Sequence, residues 1–257
     1  MKKGKRILAC VLALGLVLGF AGCGAKDDAG SGEKTYIIAT DTAFAPFEFT
    51  DEEDNFTGID VDILSAIAKD QGFDYELQSL GFKAAVAALE SGQADAVIAG
   101  MSITDERKEK YDFSQAYYDS GVVMAIKADD STIKGYEDLQ GKSVAVKTGT
   151  EGATFAESIK DKYGFELKYF EDSPKMYEDV KTGNTVACFE DYPVMGYGIS
   201  QGNGLKMVTD MEKGSSYGFA VLKGKNSELI KMFDEGLKNI KASGEYQKIL
   251  DKYIASK

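Results

Sequence analysis

The chain has 257 residues, 44% of them hydrophobic, enough to bury a core in one or two globular domains. It carries a net charge of −12 and no histidine. So acidic a surface repels phosphate backbones and anionic lipid, which disfavours nucleic acid as a partner. The missing imidazole removes Ser-His and Cys-His nucleophile chemistry and the commonest zinc and copper ligand, so neither a metal nor another cofactor is expected.

A basic start (Lys2, Lys3, Lys5, Arg6) precedes an apolar run over residues 7–20 and then small residues. This reads as a secretory leader over residues 1–22, too short for a membrane span of about 20 apolar residues. Removing its four positive charges, which no acid offsets, from −12 leaves −16 for the remainder. The run ends in Phe20-Ala21-Gly22-Cys23, which resembles a bacterial lipobox with Phe20 where leucine is usual. Cys23 is therefore the expected lipid attachment point; an ordinary leader with an incidental cysteine is the alternative. Residues 23–34 then form a Gly/Ala/Ser/Asp-rich tether. Cys188, in the apolar run Val186-Ala187-Cys188-Phe189, becomes the one thiol of the folded body and reads as an inert core residue.

From Thr35 the pattern alternates. Strands are expected at 36–39, 75–77 and 96–99, with helices at 59–70, closed by Gly72, and 83–91, closed by Gly92. This order predicts a parallel sheet covered by helices. The pattern restarts after Tyr117, with strands at 121–126, 143–146, 167–170 and 185–189 and helices at 153–163 and 174–181. A strand at 217–222 follows, and then two helices within 227–254, broken near Gly244. The reading is α/β with two lobes: residues 35–117 plus 217–257, and residues 122–212. Crossovers at 118–121 and 213–216 leave a cleft between them, a favoured place for a ligand.

Two motifs fail. Gly141-Lys142-Ser143 resembles the end of a phosphate-binding loop, but Tyr136 stands where its first glycine belongs and a strand follows. The acidic stretch 51–62 has Phe56 where a calcium loop needs glycine and Asp62 where it needs glutamate, so it reads as a solvated hairpin turn around Asp54-Asn55.

Residues 100–107 (Gly-Met-Ser-Ile-Thr-Asp-Glu-Arg) follow the strand at 96–99, at the carboxyl end where open α/β sheets bind ligands. A pocket for a free amino acid needs a guanidinium for the carboxylate and a carboxylate for the ammonium. Ser102, Thr104 as a helix cap and Arg107 supply the first half, although a solvated surface arginine fits the spacing equally well. Asp191, in Glu190-Asp191-Tyr192-Pro193, reads either as the second half or as a helix N-cap. Lys147-Thr148-Gly149-Thr150-Glu151-Gly152 also joins a strand to a helix and offers a nest of N–H donors.

Residues 39–49 (ATDTAFAPFEF), Gly58-Ile59-Asp60-Val61-Asp62-Ile63, Ile103-Thr104-Asp105-Glu106-Arg107-Lys108, Asp112-Phe113-Ser114 and Tyr117-Tyr118 together resemble the polar amino-acid solute-binding proteins of ABC importers. Glutamine binders are the nearest group, and the likeness runs from about Tyr36 to Tyr253. The resemblance implies a type II clamshell, each lobe a mainly parallel sheet flanked by helices, acting as a monomer with a membrane permease and ATPase subunits. It implies that Arg107, Ser102 and nearby N–H groups hold the α-carboxylate, and that the Gly100 carbonyl and Asp191 hold the ammonium. Phe44, in the turn after the first strand, and Phe82, in a comparable loop, would clasp the aliphatic part. Asp41 and Lys147 would face the side chain, a pairing that suits an amide. Glu190, where glutamine binders tend to have histidine, and Glu151, where the loop is usually small, are departures expected to reshape specificity. The same fold also resembles periplasmic dehydratases of cyclic aromatic-amino-acid precursors, with Glu190 or Lys147 as acid or base. A sensory lipoprotein is a third expectation.

Overall fold

The computed structural model describes residues 34–254. The expected leader and Cys23 lie outside the described residues, as does the tether up to residue 33. No helix among the described residues is long and apolar enough to cross a membrane.

The chain enters through β1 (Tyr36–Thr40), and a small hairpin of β2 (Phe49–Thr50) and β3 (Phe56–Thr57) leads into α1 (Ile59–Gln71). Asp54 at the hairpin turn has φ 63°, as expected for an Asp-Asn turn. Then come β4 (Tyr75–Ser79), α2 (Phe82–Glu90), β5 (Ala96–Val97), α3 (Asp105–Lys110) and β6 (Tyr111–Phe113). The long strand β7 (Tyr118–Lys127) carries the chain into the second lobe. There β8 (Ser143–Lys147), α4 (Glu151–Tyr163), β9 (Glu166–Phe170), α5 (Ser173–Lys181), β10 (Ala187–Asp191), α6 (Tyr192–Ser200) and β11 (Leu205–Met207) follow. β12 (Glu212–Tyr217) returns to the first lobe, which β13 (Ala220–Leu222), α7 (Ser227–Ala242) and α8 (Glu245–Tyr253) complete.

The first sheet has the order β4-β1-β5-β13-β6 and the second β11-β7-β10-β8-β9. The strands followed by a helical crossover pair in parallel (β1 with β4 and β5, β8 with β9 and β10), whereas β13, β6, β7 and β11 pair antiparallel. Each sheet is thus mixed by one reversed strand: β13 runs against β5 and β6, and β7 runs against β10, β11 and β12, while the other strands share one direction, as expected of mainly parallel sheets.

Each sheet is buried on both faces. In the first lobe Ile59, Ile63, Leu64 and Ile67 of α1 pack with Leu229, Phe233 and Leu237 of α7 on one side; Ala85, Ala88 and Leu89 of α2 cover the other. In the second, Ala153, Phe155 and Ala156 of α4 cover one side, and Met176, Val180 and Met195 of α5 and α6 the other. Cys188 is a fully buried free thiol there, and burial raises its pKa well above the usual thiol value.

Three expected boundaries move. The segments 118–121 and 213–216, expected as linkers, are strands: Tyr118 pairs with Tyr217, Asp119 with Ser216 and Ser120 with Ser215. The strand expected at 96–99 ends at Val97. Phe82 is the first residue of α2 rather than a loop residue.

Candidate functional site

The residues singled out from sequence sit at the carboxyl ends of parallel strands. Asp41 follows β1, Gly100 to Ser102 follow β5, Lys147 ends β8, and Asp191 ends β10. A helix start follows two of these turns, because Thr104 caps α3 through its hydroxyl and Thr150 caps α4 in the same way. Together they line a narrow pocket whose walls are Asp41, Phe44, Phe82, Ala99, Gly100, Ser102, Arg107, Lys147, Thr150, Glu151 and Asp191.

Arg107 reaches across the cleft. Its Nη1 donates to the Ser102 carbonyl at 2.9 Å, and its Nη2 to the Gly149 carbonyl of the other lobe at 3.0 Å. The guanidinium lies 5.5 Å from the Phe82 ring centre. Burial lowers its pKa, while Glu151 and then Asp191 oppose that shift by charge. Only arginine offers a planar fork this long that still presents donors to a carboxylate.

Asp191 is nearly fully buried, and its Oδ2 accepts from the Tyr217 hydroxyl at 2.6 Å. Its side chain makes no capping bond to α6, although it stands at the N-cap position. Burial, followed by the charge of Glu190, pushes its carboxyl up to about 7, against the Tyr217 hydrogen bond and Arg107. A carboxylate so desolvated gains strongly from a nearby cation, which suits an ammonium ligand.

At the other end, Asp41 and Lys147 form an ion pair between the lobes, each side chain 1% exposed. The second oxygen of Asp41 accepts from the Thr42 N–H at 2.7 Å and the Phe82 N–H at 3.1 Å. Lys147 Nζ also sits 4.5 Å from the Phe44 ring centre. Gly100 has φ 53°, and a Cβ there would lie 2.5 Å from the Phe44 ring, so glycine is required where the backbone passes under the cavity.

Glu190 does not face the cavity. β10 runs on to Asp191, so its side chains alternate through that residue and Glu190 points to the α5 side. There it accepts from Ser173 Oγ at 2.7 Å and Tyr177 Oη at 2.8 Å, and it holds the Asp191 N–H at 3.0 Å. Two participants escaped sequence reading. The Gly149 carbonyl carries no residue-type signal, and Tyr217, which anchors Asp191, sits on a crossover strand that pattern alone marks only as β-prone.

The family model for bacterial extracellular solute-binding proteins, family 3, matches residues 36–256. The arginine-binding extracellular protein ArtP of Bacillus subtilis is 31% identical over 97% of this chain and 98% of its own length. Among solved structures, substrate-binding domain 2 of Lactococcus lactis GlnP in open conformation is 44% identical, covers 87% of this chain and 96% of that one, and has a TM-score of 0.60. An ancestral arginine-binding protein bound to glutamine is 35% identical over 86% of this chain and 98% of that one, with a TM-score of 0.79. With its two-lobed α/β fold and a match that spans both lobes, the chain belongs to the bacterial extracellular solute-binding proteins of family 3.

Proposed function

We propose that the chain captures a free polar amino acid outside the cell for an ABC importer, with glutamine as the ligand it fits best. The carrying observation is the opposition of Arg107 and Asp191, from different lobes, around a buried cavity that Asp41 and Lys147 close as a neutral pair. Arg107 and Ser102 receive the α-carboxylate; Asp191 and the Gly100 carbonyl receive the ammonium. A side-chain amide satisfies the remaining end: its NH₂ donates to Asp41 while its carbonyl accepts from Lys147. A basic side chain would meet the Lys147 ammonium, and an acidic one the Asp41 carboxylate; leaving a buried partner unpaired costs roughly 1–3 kcal/mol. The glutamine-bound ancestral protein supports this reading, and the same protein is also solved with arginine. Phe44 and Phe82 flank the aliphatic part, and Thr150 and Glu151 shape the carboxylate end. Lipidation at Cys23 would hold the protein at the outer membrane face, where a permease and ATPase receive the ligand.

A basic amino acid is the second reading. Asp41, Glu151 and Asp191 outnumber Arg107 and Lys147 in the lining by one charge, and ArtP is an arginine binder. Calorimetry of the purified chain against the twenty amino acids separates the two. Glutamine binds most tightly, and Arg107→Ala weakens it by about 10- to 100-fold, the loss of a charged hydrogen-bonded pair. Tightest binding of arginine or lysine would overturn the amide assignment, and an unchanged affinity in Arg107→Ala would overturn the carboxylate site.

A further inference from the structure

Beneath the cavity floor lies a pair of carboxyl groups that ligand contact does not use. Glu48 and Asp60 are both fully buried in the first lobe. Asp60 Oδ2 accepts from the Gly100 N–H at 2.8 Å and from the Tyr117 hydroxyl at 2.8 Å. Its other oxygen and both Glu48 oxygens find no donor elsewhere among the described residues, and the two carboxyl groups lie within hydrogen-bonding reach of each other. The Glu48 backbone meanwhile closes the turn that carries Phe44, since its carbonyl accepts from the Phe44 N–H at 2.7 Å.

We propose that Glu48 and Asp60 act as one positioning unit, holding a single proton between them and fixing the Gly100 peptide and the Phe44 turn against Tyr117 at the mouth of the crossover. Two ionised carboxylates cannot share this dry site, because Lys147, the cation that faces it, is already paired with Asp41. One protonated carboxyl solves this: Glu48 donates its O–H to Asp60 Oδ1, and Asp60 stays ionised to accept from Gly100 and Tyr117. The titratable and charged groups facing the pair are Asp41 after β1, Lys147 at the end of β8, Tyr117 before β7 and Tyr246 of α8. Burial, then Asp60, then Asp41 raise the Glu48 carboxyl well above its usual range, with Lys147 opposing. Burial also lifts Asp60 to about 6, against the hydrogen bonds from Gly100, Tyr117 and Glu48. The consequence for the ligand rests on the amino-acid reading above: the Gly100 carbonyl that accepts from the ammonium is aimed by the N–H bond on the same residue.

The test uses Glu48→Gln, which keeps a donor without a titration, and Glu48→Ala, which keeps neither. A carboxyl raised in the fold keeps its proton at a pH where the unfolded chain has lost it. Its stabilisation is therefore full at low pH and is lost as pH rises toward the folded value. The wild-type denaturation midpoint should fall between pH 5 and pH 8 relative to that of Glu48→Gln, and parallel profiles would overturn the proposal. At pH 7 the wild type should show the infrared carbonyl band of a protonated carboxyl that Glu48→Gln lacks; an identical spectrum would also overturn it. Should Glu48→Gln fail to fold, Asp60→Asn carries the infrared measurement, because the asparagine amide would donate to an ionised Glu48 and abolish the band. Amino-acid affinity should survive in Glu48→Gln and fall about tenfold or more in Glu48→Ala; equal losses would show a structural requirement for the carboxylate and sink the positioning role. If no amino acid binds the wild type, the functional reading fails while the stability and infrared measurements still decide the pair.

Discussion

Asp191 has to be ionised to hold an ammonium, yet burial and the neighbouring Glu190 lift its carboxyl to about 7. Above this value the carboxylate is ready for the zwitterion; below it, ligand binding must first expel a proton. Affinity should therefore weaken as pH falls from 8 to 5.5, by up to about tenfold per unit once protonation dominates. Asp191→Asn should bind more weakly at pH 8 and lose most of this slope. Calorimetry across that range checks both, and a flat wild-type profile would remove Asp191 from the ammonium site. The place of these residues was legible where a charged side chain lies at the carboxyl end of an apolar strand, as Asp41, Lys147 and Asp191 do; the roles expected of Asp41 and Lys147 came from the family resemblance alone. Glu190 stands outside the pocket lining for a definite reason. With the strand expected to stop at Phe189, Glu190 and Asp191 both fell into the loop facing the cleft. The ladder runs two residues further, and period two then assigns them to opposite faces.

Helix α1 shows what an element's own sequence leaves open. Its periodic apolar face and Gly72 at its C-cap gave its extent to within a residue. Its start, however, has no side-chain cap. The first N–H groups are satisfied from outside, Ile59 by the Pro46 carbonyl and Asp60 by the Phe47 carbonyl, each at 2.9 Å. This requires Gly58, whose φ is 140° and whose Cβ would lie 2.0 Å from the Phe47 carbonyl oxygen. Gly58→Ala should cost about 3 kcal/mol of folding stability in denaturant melts, since backbone rather than a flexible side chain must give way. Gly72→Ala meets nothing within 4 Å and should cost only about 1–2 kcal/mol for its left-handed backbone. Similar losses in the two variants would contradict the carbonyl-capping account. The crossover β12 was the least legible element, because its residues Glu-Lys-Gly-Ser-Ser-Tyr show no apolar alternation. Its conformation is imposed by pairing with β7, nearly a hundred residues away in the chain, and no local pattern encodes such a partner.

At the scale of the molecule, two paired strands join the lobes while polar contacts hold them together at the cleft. The joint is aromatic: Tyr217 stacks on Tyr118 with ring centres 6.2 Å apart and meets Phe47 edge-on at 5.0 Å. The Tyr217 hydroxyl also ties this joint to Asp191, and Arg107 and the Asp41–Lys147 pair bridge the cleft itself. Lys147→Met tests how much of closure the cross-cleft pair supplies. Closing such a variant buries Asp41 without its cation, a penalty of about 3–5 kcal/mol for a pair broken on one side. Small-angle scattering should show the wild type contracting on ligand addition, and Lys147→Met contracting only at ligand concentrations higher by at least about 100-fold. Asp41→Asn combined with Lys147→Met should recover part of the contraction, because the uncompensated charge is gone. Contraction of the single variant at wild-type ligand concentrations would mean that Arg107 and the bound zwitterion alone draw the lobes together.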